Sequence, residues 1–239
     1  MTNPGPLNSG RELRSPDGQY EQFLYSVSHD LQEPLRMITS FLKLLENVAG
    51  SDLNDDAKEY LNYGLENADR MKRMIYALVE LSRVNRSTEP FEEIDMNSFI
   101  SDIVKMYGTE MKHQGATIVR HEMPNVEASP TQMMQLFRGI IQNAFDNVDP
   151  KRSIQIDISG EVKGEFVEYR IEDNGRGINA VYLDKVFEIF KRIDPKSQKV
   201  GAGLAIAREI VKRHGGTINI ESTEGVGTIV TFRLLRKAA

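Results

Sequence analysis

Residues 22–46 read QFLYSVSHDLQEPLRMITSFLKLLE. Leu24, Val27, Leu31, Leu35, Ile38, Leu42 and Leu45 recur at steps of three or four, the period that places side chains on one helical face. His29 falls off that stripe: at ~100° per residue it lies nearly opposite Val27 and Leu31, so a helix buried along its apolar seam holds this imidazole in water. Asp30 follows it, and Pro34 stands inside the pattern, where it removes a backbone donor and crowds the carbonyl of Asp30. The helix is expected to bend just below the histidine. An exposed histidine on such a helix is ordinarily a surface residue, and its neutral-range titration alone does not make it reactive.

Working outward, the helix is expected from about Tyr20 to Val48, ending near Gly50. The turn-rich AGSDLNDD supplies a start for a second helix. Ala57, Leu61, Leu65, Ala68, Met71, Ile75, Leu78 and Ser82 carry that helix to about Asn85. Two long amphipathic helices joined by a short turn form a hairpin that buries its stripes best against a second copy, as a dimeric four-helix bundle. Upstream, residues 1–18 are rich in Pro, Gly, Ser and Asn and read as a flexible leader.

From Phe91 the texture changes. Short β-like runs (FEEID, ATIVRHEM, SIQIDIS, EFVEYRIED, TINIES, GTIVTFRLL) alternate with helical patterns at Asn97–Met111, Pro130–Asn147 and Leu204–His214. This predicts an α+β chain: the hairpin over 19–87, a break near RSTEP at 86–90, then an α/β sandwich over 91–237 with one sheet face covered by helices.

Composition limits the function classes. The chain has 239 residues, a net charge of -5 and no cysteine, which gives no electrostatic footprint for nucleic acid and excludes disulfides and thiolate metal sites. The four histidines, His29, His113, His121 and His214, show no metal-ligand spacing. No apolar run is long enough to span a bilayer, and the region reads as cytoplasmic, whether or not a longer protein is membrane-anchored.

Three places in the second half have the residue types of a phosphate-ligand site. Asp173, Asn174, Gly175, Arg176 and Gly177 follow directly on a strand; such glycines allow close backbone approach, and a fixed carboxylate accepts a hydrogen bond from an exocyclic amine. The same pattern also builds ordinary turns. Gly201 and Gly203 precede the helix LAIAREIVKRHGG, whose N-terminal N–H groups suit phosphate oxygens, although a plain loop-to-helix junction looks the same. Asn143, on the helix TQMMQLFRGIIQNAFDN, offers an amide oxygen of the kind Mg²⁺ takes, or one that merely packs a helix. Between these lies VFEIFKRIDPKSQKVGAG, read as an aromatic helix running into a polar lid.

The pieces stand together in the order of the sensor histidine kinases of two-component systems, which the chain resembles over about residues 20–235. SVSHDLQEPLRMI resembles the H box, QLFRGIIQNA the N box, EDNGRGI the first glycine box, VFEIF the F box and GAGLAIAREIVKRHGG the second glycine box. The DLQEPLR variant is similar to kinases that follow PAS, GAF or phytochrome-type sensors. The resemblance implies a homodimeric phosphotransfer hairpin and an ATP-binding domain like those of Hsp90, gyrase and mismatch-repair ATPases. It implies that His29 accepts the γ-phosphoryl group and that Asp30 orients the imidazole and takes its proton. It further implies that Asn143 holds Mg²⁺, that Asp173 reads adenine, and that Gly175, Gly177, Gly201, Gly203 and Leu204 shape the ATP pocket and lid beside a phosphate-contacting Arg192. The implied partners are a second copy, a response-regulator receiver domain and an upstream sensor lying outside this chain.

The chain departs from the family pattern at identifiable positions. Gly139 replaces the first asparagine of the N box, and Asp146 and Asn147 stand where a cation and an aromatic or histidine are usual. Lys199 replaces the leading glycine of the lid and returns a positive charge. Glu33, four residues after His29, occupies the position where many relatives place Thr or Asn for dephosphorylation. Gly139, Asp146 and Asn147 favour, as the alternative, a degenerate dimeric ATP-binding module, and Glu33 counts against a phosphatase role.

Overall fold

A computed structural model describes residues 16–193 and 199–236, with backbone alone for 16–25. Helix α1 spans Pro16–Ala49 and α2 spans Asp55–Arg86, packed side by side as a hairpin. The first helix starts inside the segment expected to be leader and continues as one helix through Pro34. The second has a clear local cause for its start: Asn54 accepts a hydrogen bond from the Ala57 N–H, Asp55 and Asp56 occupy the first turn, and Arg83 and Arg86 the last.

Within a single chain the hairpin buries only a narrow seam, in which Leu35 packs with Ala68 and Ile75 and Ser28 is fully enclosed. Leu31, Ile38, Phe41, Leu45 and Val48 remain exposed on α1, as do Tyr60, Tyr63 and Met71 on α2. The sequence stripe is therefore split, one part turned to the neighbouring helix and the other left uncovered.

The second region begins with strand β1 (Glu92–Ile94), followed by α3 (Met96–Met106), α4 (Gly108–Gln114), β2 (Thr117–Arg120), β3 (Val126–Ala128) and α5 (Pro130–Asp146). It continues with β4 (Gln155–Lys163), β5 (Phe166–Asp173), a short 3-10 turn at Ala180–Lys185, α6 (Gly203–Arg213), β6 (Thr217–Thr223) and β7 (Gly227–Leu235). The helix expected over Asn97–Met111 breaks at Tyr107, which is buried and stacks on Phe145 at 5.1 Å.

Five strands form a mixed sheet in the order β2-β4-β5-β7-β6, with β2 parallel to β4 and the rest antiparallel. β1 and β3 make a separate antiparallel pair. Alternation places Ile156, Ile158, Val167, Tyr169, Ile171, Val230 and Phe232 under the helices, while Asp157, Glu172, Ile229 and Glu221 share a row on the other face. At the centre Phe137 of α5 meets Tyr169 and Phe232 edge-on, with ring centroids 6.1 and 5.4 Å away, and the Tyr169 hydroxyl donates to the Pro124 carbonyl at 2.8 Å. This core fixes α5 and the end of β5 relative to each other.

Candidate nucleotide and phosphoacceptor sites

One face of α5 meets the first turn of α6. A Cβ on Gly139 would lie 3.4 Å from the Gly203 carbonyl oxygen, an ordinary contact distance, so α5 and the first turn of α6 touch at this position. Asn143 and Asp146 follow Gly139 by four and then three residues and share that face. The first turn of α6 has no side-chain cap, which leaves its leading N–H groups for another acceptor.

Asn143 is half-buried, and the Asn147 amide donates both to its backbone oxygen at 2.7 Å and to its Oδ1 at 3.0 Å. A carbonyl oxygen with two lone pairs can keep that bond and still face a cation. Asn147, a departure from the family pattern, thus orients the amide on which a metal role would rest.

Asp173 closes β5 on the helix-covered face. Its carboxylate accepts from the Gly175 N–H at 2.8 Å and from the Thr228 backbone, yet burial outweighs these bonds and pushes its pKa up. The following turn has no room for side chains: a Cβ on Gly175 would meet the Asn147 oxygen at 2.6 Å, and Gly177, at φ 67°, would meet the Thr223 oxygen at 2.0 Å. Arg152 ties this turn down by donating to the carbonyls of Gly175, Gly225 and Val226. Sequence reading missed it, because a lone arginine in DPKRS carries no periodic or motif signal.

Residues 186–190 are not the expected aromatic helix; among the described residues the helical piece comes earlier, at Ala180–Lys185. Phe190 takes φ 65°, which no right-handed helix accommodates, and its N–H donates to the Gly201 oxygen at 2.8 Å. Gly201, at φ 72°, accepts the close approach of Lys191. Arg192 is half-buried beside this junction, Leu204 packs on the domain core, and the expected lid residues 194–198 lie outside the described residues. A cleft of about 520 Å³ is lined by Asp157, Glu172, Glu221 and Ile229 on the other face of the sheet and extends round the end of β5 to Asp173, Asn174 and Thr228.

The hairpin carries the other candidate group. The His29 and Asp30 side chains are 75% and 78% exposed, with Nδ1 of His29 3.5 Å from Oδ1 of Asp30. That geometry directs the Nδ1 edge toward the carboxylate and leaves Nε2 toward solvent. The far end of α2 is fastened to the second region. Gln132 donates to the Val84 oxygen at 2.9 Å, Arg213 donates to Gln132 Oε1 and the Ser87 oxygen at 2.7 Å each, and Glu89 accepts from Ser129 and Thr131. Phe91 stacks on His214 at 4.4 Å.

A long hairpin bearing an exposed histidine, joined to a mixed sheet with a glycine-lined carboxylate and an open helix N-terminus, defines a phosphoacceptor module coupled to a nucleotide-binding fold. Residues 19–87 match the His Kinase A (phospho-acceptor) domain and residues 128–238 the histidine kinase-, DNA gyrase B- and HSP90-like ATPase. The chain belongs to the sensor histidine kinases.

Over 238 residues it is 32% identical to the sensor protein kinase WalK of Staphylococcus saprophyticus, covering 95% of this chain and 38% of that one. It is 30% identical to cyanobacterial phytochrome A of Nostoc sp., covering 93% and 29%. The chain thus spans less than half the length of these relatives. Among solved structures it is similar to full-length ShkA in complex with AMPPNP (TM-score 0.67, 19% identity, 92% of this chain and 47% of that one). It is also similar to histidine kinase ThkA in complex with the response regulator TrrA (TM-score 0.63, 20% identity, 92% and 64%). No helix among the described residues is long and apolar enough to cross a membrane.

Proposed function

We propose that this chain is the phosphotransfer and catalytic region of a homodimeric sensor kinase that phosphorylates His29 from ATP and passes the group to an aspartate of a response regulator. The observation that carries the reading is the exposed His29–Asp30 pair on a hairpin fastened to an ATPase-type fold. Asp173 and the Gly175–Gly177 turn suit adenine; the α6 N-terminus, with Gly201, Gly203 and Arg192, suits the phosphates. Asn143 supplies one hard oxygen, and no cluster of three His, Asp or Glu side chains that would hold a metal by itself occurs among the described residues. This donor set fits Mg²⁺ shared with phosphate oxygens, a cation that would neutralise charge developing on the triphosphate.

The chain's own residues account for the proton and the direction of attack. Asp30 holds the Nδ1–H edge, so the Nε2 lone pair attacks the γ-phosphorus; the bond to the β-bridging oxygen breaks, an N–P bond forms, and ADP leaves with the electron pair. The ring cation then gives its Nδ1 proton to Asp30. Transfer onward forms an acyl phosphate on the receiver aspartate and regenerates His29.

Incubation with γ-labelled ATP and Mg²⁺ is expected to give an acid-labile, alkali-stable label that is lost in His29→Gln with the dimer intact. Label retained on another residue would exclude the assignment. Transfer is checked by chasing the labelled kinase with an isolated receiver domain.

A further inference from the structure

Asp146 is badly placed by local rules. It ends α5, where the helix dipole disfavours a carboxylate, and it lies on the Gly139–Asn143 face that meets the open first turn of α6. Its Oδ2 lies 3.3 Å from Lys199 Nζ, and its Oδ1 accepts from Gln142 Nε2 at 3.0 Å. With the Lys199 and Asp146 side chains 39% and 30% exposed, a pair of this kind adds little to fold stability. Its location matters more: Lys199 lies two residues before Gly201, so the pair bridges α5 and the strand of chain leading into α6, at the end of the site where phosphates would lie.

We propose that Asp146 and Lys199 form a reciprocal charge pair that sets the phosphate affinity of the nucleotide site. Lys199 is the phosphate-facing cation, and Asp146 is the positioning residue that holds its ammonium at the mouth of the site before nucleotide arrives. Lys199 in turn cancels a carboxylate that would otherwise repel the phosphates. The two departures from the family pattern, 53 positions apart by their numbering, then compensate each other. This inference rests on the nucleotide-binding reading above.

The test is calorimetric titration of the full chain carrying His29→Gln, which blocks turnover, with ATP, ADP and adenosine. Lys199→Gln is expected to weaken ATP by about tenfold, ADP by less and adenosine by under about twofold. Adding Asp146→Asn to Lys199→Gln recovers most of the ATP loss, whereas Asp146→Asn alone shifts ATP by less than about threefold, the non-additivity of a coupled pair. A double variant no tighter than Lys199→Gln, or an equal loss for adenosine, overturns the proposal. Thermal melts of each variant should stay near the parent, because the pair is partly exposed, and separate misfolding from lost affinity. A parent chain that binds no ATP, or an Asp173→Asn variant that binds it unchanged, defeats the nucleotide reading itself.

Discussion

Asp173 is a carboxylate held where burial disfavours its charge and two backbone donors only partly offset that penalty. Its folded pKa lies above the unfolded value, so the site is most stable at pH below the unfolded value and loses stability as pH rises through the folded one. Above the folded pKa the charged group costs the ligand-free fold stability. Asp173→Asn is therefore expected to lose nucleotide affinity without lowering the melting temperature of the ligand-free protein at pH 7. Melting scans at pH 7 beside a nucleotide titration check both halves. A melting temperature depressed together with binding would mean that the carboxylate is structural. Ser28, fully buried with an unpartnered hydroxyl one residue before His29, shows the same scale from the packing side.

Among elements, the join between α2 and the ATPase-type fold is the most closely determined. His214 donates from Nδ1 to the Ile210 carbonyl at 2.7 Å and accepts the Ser129 N–H at Nε2, an arrangement available only to the neutral ring. Burial lowers its pKa, and the adjoining Arg213 adds in the same direction, partly opposed by the Ile210 carbonyl. A depressed histidine stabilises above its unfolded pKa, and that contribution fades as pH falls below about 6.5 toward the folded value. Protonation removes the acceptor for Ser129 and loosens Phe91, at a cost of about 1–3 kcal/mol for the orphaned N–H. Glu89 and Arg213 also face this join, but Glu89 is held below the usual carboxylate range, first by its bonds from Ser129 and Thr131, and stays charged throughout this window. Hydrogen-exchange protection over residues 84–91, corrected for the intrinsic pH dependence of amide exchange, should fall from pH 7.5 to 5.5, and His214→Gln should flatten that dependence. An unchanged profile in the variant would assign the pH response elsewhere.

At the scale of the molecule, the exposed apolar stripe on α1 is larger than a single hairpin needs. Leu31, Ile38, Phe41, Leu45 and Val48 step by three, four or seven, the spacing of a helix seam awaiting a partner. Covering one such side chain is worth roughly 1.5–3 kcal/mol. Phe41→Glu is expected to weaken self-association by about 100-fold or more while leaving the core over 94–234 folded, measured by sedimentation equilibrium and circular dichroism. Unchanged self-association would place the contact on another face. The join at Val84 and Gln132 packs the end of α2 against the ATPase-type fold.

Much of this was legible in the sequence because it depends on local period and local chemistry. Heptad-like spacing marked the hairpin and placed His29 outward, alternation marked six strands, and the glycine turns stood out because backbone reversal at φ 67° or 72° restricts residue choice. β1 was legible as part of the longer run FEEID, whereas VEA at 126–128 stands in no longer β-like run, so β3 and its pairing with β1 emerged only in three dimensions. The aromatic run at 186–190 looked helical by content but is bent by its hydrogen bond to Gly201, a contact eleven residues away by numbering. By itself the sequence determined the two-part architecture and the reactive residue types, since these follow from periodicity and motif. Only the tertiary structure decided that Gly139 lies against Gly203, that Arg152 pins the turn, that Arg213 and Gln132 join the two parts and that Lys199 meets Asp146. Each depends on side chains distant in sequence whose distances are set by packing, and no local pattern encodes such a distance.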